Sequence, residues 1–146
     1  MISIRENKLV QAFKISNRIP EFDNPYKLNE YEHRTIGVAH LILTIIYNNE
    51  TVGFKIGYDR FKNDCFYSWM GGILPEYRRK GLANSLADFQ EEWARGNGYH
   101  KIIMKTRSKH KAMISFSLNR GFKITSEIAK KSLDCLLYTS PSPRDS

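Results

Sequence analysis

Residues 71–86 read GGILPEYRRKGLANSL and hold the residue types with the clearest chemical meaning. Arg78, Arg79 and Lys80 precede Gly81, and a helical pattern starts directly after it. A helix N-terminus is already the positive end of a dipole, so three cations beside it are unfavourable when left alone. They become favourable when a strongly negative group sits there, because exposed N–H groups and nearby basic side chains together form a phosphate site. Gly71 and Gly72, paired inside an apolar run, suggest a bulge or the close approach of another molecule's backbone.

Other reactive residue types carry weaker signals. His40, His100 and His110 do not form a metal-binding spacing, so no metal is expected. Cys65 sits on an apolar strand, where a small buried thiol is the common case. Arg107 to Lys111 is a basic cluster that reads mainly as a solvated face, with a second phosphate contact as the alternative. Trp69 and Trp93 read as packing residues, with Trp69 a candidate wall of a substrate pocket.

The whole chain sets limits on these readings. Its 146 residues make one domain, able to bury a core without disulfides. With 23 Lys and Arg against 15 Asp and Glu, the net charge of +8 is compatible with polyanionic partners and equally with simple solubility. The longest apolar run, Val38 to Tyr47, is too short to span a bilayer, so a cytoplasmic protein without a membrane partner is expected. The final stretch CLLYTSPSPRDS, residues 135–146, changes abruptly to Ser and Pro and resembles a translated sequencing adapter. The expected organisation is therefore a domain over 1–134, incomplete before its final strand, followed by a non-native tail over 135–146. Cys65 is then the one native cysteine.

Periodicity supplies the elements that position the chemistry. ISIRE alternates as a first strand, and Lys8 to Ile19 places Leu9, Ala12, Phe13 and Ser16 on one helical face. Pro25 to Arg34 is a weaker helix, with its proline in the first turn. Val38 to Tyr47, the turn NNE and Thr51 to Asp59 make an antiparallel hairpin, and Cys65 to Leu74 is the next strand. From Gly81, Leu82, Leu86, Phe89 and Trp93 recur at helical intervals while Asp88, Glu91, Glu92 and Arg95 lie elsewhere, until GNG stops the helix. Lys101 to Thr106 is a strand, Ser108 is a candidate cap for a helix through Asn119, and Phe122 to Ile128 begins a further strand. The fold class is α/β, a mixed and mostly antiparallel sheet flanked by helices.

The run ILPEYRRKGLANSL, with R-x-x-G-x-A at Arg78, Gly81 and Ala83 between a strand and a helix, resembles the acetyl-CoA pyrophosphate loop of the GNAT superfamily of N-acetyltransferases. The resemblance extends over Val38 to Ile128, including KAMISFSLNRGF as the later helix that ends in Gly-Phe. It implies acetyl-CoA as co-substrate, held by Gly72, Ile73, Leu74, Arg78, Arg79, Lys80, Gly81, Leu82, Ala83 and Asn84. It also implies a gap beside the strand at 65–74, where the pantetheine arm lies like an extra strand. A backbone N–H near Gly72 or Ile73 would polarise the thioester carbonyl.

The resemblance places a tyrosine acid four residues before Gly121, and this chain has Ser117 there. Ser117 and Tyr67 are the candidate catalytic residues, with Tyr58 a substitute acid and Asp59, Asp64 and Glu32 candidate bases. The implied reaction is acetyl transfer to the amine of a small molecule or peptide, and a homodimer is compatible with it. The alternative is the same fold as a non-catalytic acyl-CoA-binding module or a basic nucleic-acid-binding one, motivated by the charge and the missing tyrosine.

Overall fold

The computed structural model describes residues 1–22, 26–106, 110–125 and 127–133. Its strands are β1 (Ile2–Glu6), β2 (His40–Tyr47), β3 (Glu50–Tyr58), β4 (Cys65–Ile73), β5 (Lys101–Lys105), β6 (Lys123–Thr125) and β7 (Ile128–Ser132). Its helices are α1 (Leu9–Ser16), α2 (Leu28–Thr35), α3 (Leu82–Gly96) and α4 (Lys111–Asn119). The strands form one seven-stranded sheet in the order β1-β2-β3-β4-β5-β7-β6. Among the described strands only β4 and β5 pair in parallel, because α3 crosses over between them. No described helix is long and apolar enough to cross a membrane.

Local sequence explains the turns. Asn48 and Asn49 both have positive φ, which makes the two-residue β2–β3 connection twist with its strands. Gly121, at φ 91°, ends α4, and the Phe122 N–H reaches back to the Ser117 carbonyl at 3.0 Å. The helices divide between two faces of the sheet. On one, α1, α2 and their link meet Phe54, Tyr58 and Trp69 through Phe22, Arg34 and Tyr31. On the other, Trp93 of α3 packs on Phe66 and Ser117 of α4 on Met104. The core between them includes Phe54, Ile56, Phe66, Leu82, Leu86 and Ile102.

Four expectations are corrected. The position beside β5, thought to lack its strand, is filled by β7, whose Ile128 to Ser132 pair with Lys105 to Lys101. The run from Phe122 divides into β6 and β7, and the second strand inserts between the first and β5. The bulge in β4 falls at Trp69, skipped between the pairs Ile56 with Met70 and Gly57 with Ser68, rather than at Gly71-Gly72. Glu91 is buried, together with Gln90, because Arg120 and Lys131 neutralise it under α3. Ser108 as a cap, Pro25 in a first turn and the whole tail from Asp134 lie outside the described residues.

Candidate active site

β4 is paired on both sides only at its start. Its parallel ladder with β5 runs from Cys65 with Lys101 to Tyr67 with Ile103 and ends there. Beyond it, Met104 and Lys105 pair with β7 alone, whereas β4 continues against β3 to Ile73. The two strands therefore separate, and the β4 edge from Ser68 to Ile73 faces a wedge. The Leu74 N–H donates to the Val52 carbonyl at 2.8 Å, and the alternation of an antiparallel ladder then turns Gly71 and Ile73 away from β3. Their N–H groups line the wedge. The Ile73 carbonyl on that side accepts from Arg78 Nε at 2.9 Å.

The glycine pair has a local cause. A Cβ on Gly72 would stand 2.7 Å from Ile19 Cδ1, so the close approach comes from the link after α1. A Cβ on Gly71 would stand 3.2 Å from the Phe54 carbonyl oxygen and 3.4 Å from Lys55 Cγ, so Lys55 is the cross-strand neighbour a side chain there would touch.

At the wide end of the wedge, a 3₁₀ turn over Pro75–Tyr77 leads to Arg79 at φ 65° and Gly81 at φ 79°. Gly81 caps α3 without any side-chain hydrogen bond, so the N–H groups of Leu82, Ala83 and Asn84 have no intrahelical partner. Apart from Gly81's chain neighbours, no atom of the described residues lies within 4 Å of a Cβ built there, which leaves its approach open. Arg79 and Lys80 are exposed, with Lys80 Nζ 5.6 Å from the Tyr47 ring. Arg78 instead grips Glu21 across the surface through two bonds of 2.8 and 2.9 Å. That contact holds the Glu21 carboxyl below its usual range.

Tyr67 and Ser117 lie on opposite faces of the sheet. Tyr67 is buried among Tyr58, Phe61 and the Arg60 guanidinium on the α2 face, and burial pushes its phenol up. Ser117 is fully buried on the α4 face and donates to Met104 Sδ at 3.5 Å. Asp59 accepts from Tyr99 and the Lys62 N–H, Asp64 pairs with Lys101, and Glu32 is exposed on α2. These carboxylates stand at the β3–β4 turn or on the helix surface. Cys65 is buried and its thiol is pushed up, first by desolvation, so it stays neutral.

On the α2 face, Trp69 projects from the bulge into a ring cluster with Tyr26, Tyr31 and Tyr58, and Arg34 stacks 4.5 Å from it. Beneath α3, Glu91 joins Arg120 at 3.0 Å and Lys131 at 2.8 Å. Gln90 Nε2 and Arg120 Nε are buried there without a partner among the described residues. Sequence periodicity missed this polar layer because Gln90 and Glu91 look like solvent-facing helix residues.

An open strand edge leads to an uncapped, cation-flanked helix end, an arrangement with the donors to take an extended carrier with an anionic head. A family model described as Acetyltransferase (GNAT) family matches residues 7–122, and the chain belongs to that family. It is an acetyl-CoA-dependent acetyltransferase. A sequence comparison with curated proteins finds no match. Among solved structures, the ribosomal-protein-S18-alanine N-acetyltransferase from Escherichia coli superposes with a TM-score of 0.79 at 16% identity, over 91% of this chain and 94% of that one. The yncA protein from Salmonella typhimurium, solved with acetyl-CoA, gives 0.73 at 19% identity over 97% and 98%. The PaiA N-acetyltransferase from Thermoplasma acidophilum, solved with coenzyme A, gives 0.73 at 16% over 90% and 99%. At these identities the structures share the fold.

Proposed function

We propose that this acetyltransferase passes the acetyl group of acetyl-CoA to a primary amine by direct attack, with the carrier in the β4–β5 wedge and its pyrophosphate at the α3 N-terminus. The observation that supports this most is the unpaired β4 edge, running from Ser68 to Ile73 towards the free amides of α3. Bound there, acetyl-CoA supplies an acyl group activated as a thioester. The amides of Leu82, Ala83 and Asn84 neutralise pyrophosphate oxygens, and Arg79 and Lys80 add charge from the exposed side. Arg78 braces the loop by tying Ile73 to Glu21, so its contribution is to hold the edge in place. Leu74 continues the edge to the turn. The Gly71 and Ile73 N–H groups are donors for a carbonyl oxygen that gains charge during acyl transfer.

The acceptor enters from the α2 face, where Trp69, Tyr26 and Tyr58 form a wall. Tyr67 stands behind that wall as a neutral phenol and shapes it. Ser117 supports β5 from below through Met104. The acceptor is a small molecule or a peptide with a free amine, and the amine must reach the thioester unprotonated.

The test is release of CoA thiol from acetyl-CoA across a panel of primary amines, including polyamines and peptides with free N-termini, with the acetylated product identified by mass. Amine-dependent release above the hydrolysis background is expected. Tight acetyl-CoA binding with no release by any amine overturns the catalytic reading and leaves an acyl-CoA-binding module.

A further inference from the structure

Lys55 has no assigned role, and its placement is unusual. It belongs to β3 opposite Gly71, on the face that carries α3 and α4, and its Cγ lies 3.4 Å from where a Gly71 side chain would begin. It is partly buried and has no hydrogen-bond or ion-pair partner among the described residues. The charged groups facing it are Glu91 from α3 and Arg120 from the end of α4. Lys131 of β7 joins the same cluster through Glu91, and Asp88 of α3 joins it through Arg120. Glu91 is already held by two cations, so it offers Lys55 attraction without a bond.

Depth along the wedge is the second observation. Gly71 lies three residues before Leu74, on the order of 10 Å down the strand. Glu91 lies nine residues after Leu82, on the order of 13 Å down the helix. Lys55 therefore stands beside the middle of the wedge, level with the Gly71 N–H and set back from the pyrophosphate loop. Resting on the carrier placement proposed above, we infer that Lys55 faces the sulfur of the carrier and donates the proton that the departing thiolate takes up.

The acceptor nitrogen forms the N–C bond, the C–S bond breaks with its electron pair on sulfur, and a proton moves from Lys55 Nζ to that sulfur. The proton released by the acceptor nitrogen returns to Lys55 through solvent. Desolvation and Arg120 lower the Lys55 ammonium to about 8, close to an ordinary thiol near 8.5, so acid and leaving group are matched. Ser117, at the position where the resemblance expects the acid, points at Met104 instead.

The experiment uses CoA itself and needs no acceptor. Calorimetry measures CoA affinity for the wild-type chain, Lys55→Met and Lys55→Arg, and thiolate absorbance titrates the bound thiol against desulfo-CoA as blank. An ammonium beside a thiol favours the thiolate, so the bound thiol ionises at lower pH in the wild type. Lys55→Met should keep CoA affinity within about threefold and move the thiol midpoint up by about one unit, a tenfold change in ionisation. Lys55→Arg should restore most of that shift through its fixed charge. Equal thiol midpoints in a CoA-binding wild type and Lys55→Met overturn the inference and leave the carrier site standing. Failure of the folded wild type to bind CoA overturns the carrier site, and the inference with it.

Discussion

Lys55 tests at the residue scale whether the layer under α3 is as dry as its packing implies. Burial lowers its ammonium from the ordinary 10.5 to about 8. Below about 8 both folded and unfolded chains carry the charge, so the full desolvation penalty opposes folding. Between about 8 and 10.5 the unfolded chain binds more protons, so stability rises with pH as the penalty is relieved. Lys55→Met should therefore raise stability at pH 7 by about 1–2 kcal/mol, with the gain shrinking towards pH 10, as read by chemical denaturation across that range. Lower stability of Lys55→Met at pH 7 would contradict this picture. None of this was legible in the sequence, where Lys55 is one polar residue in the alternation Val52, Phe54, Ile56, Tyr58. Alternation reports which face a residue takes, and only the crossover of α3 reveals that this second face is covered too. Arg78 shows the converse. Its motif position was legible, while its bidentate grip on Glu21 depends on a contact 57 residues away.

At the element scale, the shape of β4 depends on glycines of unequal importance. A Cβ on Gly57 would fall 2.4 Å from Phe66 Cε2 and 2.8 Å from the Tyr67 carbonyl, where the backbone cannot yield. A Cβ on Gly72 meets chiefly the flexible end of Ile19, at 2.7 Å. Gly57→Ala should thus destabilise the fold by about 3 kcal/mol and Gly72→Ala by about 1 kcal/mol, measured by urea unfolding. The reverse order would mean that the β3–β4 pairing is not held as described. The strands, the helices and the hairpin turn were readable because period and turn chemistry are local. The bulge at Trp69 was not, because an extra residue in one strand is defined only by its partner. The β6–β7 pair was missed for a similar reason: the run from Phe122 has one composition, and its division follows from pairing with β5.

At the scale of the whole molecule, the sheet is paired from edge to edge except where β4 and β5 part. That gap, with the uncapped α3 end above it, is the central feature. The strand–loop–helix order around R-x-x-G-x-A made it foreseeable, since each part has a local signature. The acceptor side was less legible, because Tyr26, Tyr31, Tyr58, Trp69 and Arg34 come from segments that tertiary packing alone brings together. The most direct measurement is thermal unfolding with and without acetyl-CoA, for the wild-type chain and Gly81→Val. A β-branched side chain at φ 79° strains the turn and intrudes where the pyrophosphate must approach, its Cβ meeting no atom of the described residues within 4 Å apart from its chain neighbours. At about a hundred times its dissociation constant, acetyl-CoA should stabilise the wild type by roughly 2.7 kcal/mol and leave a folded Gly81→Val unchanged. An equal rise in both proteins, or in neither, would contradict the assignment of the carrier to this loop and wedge.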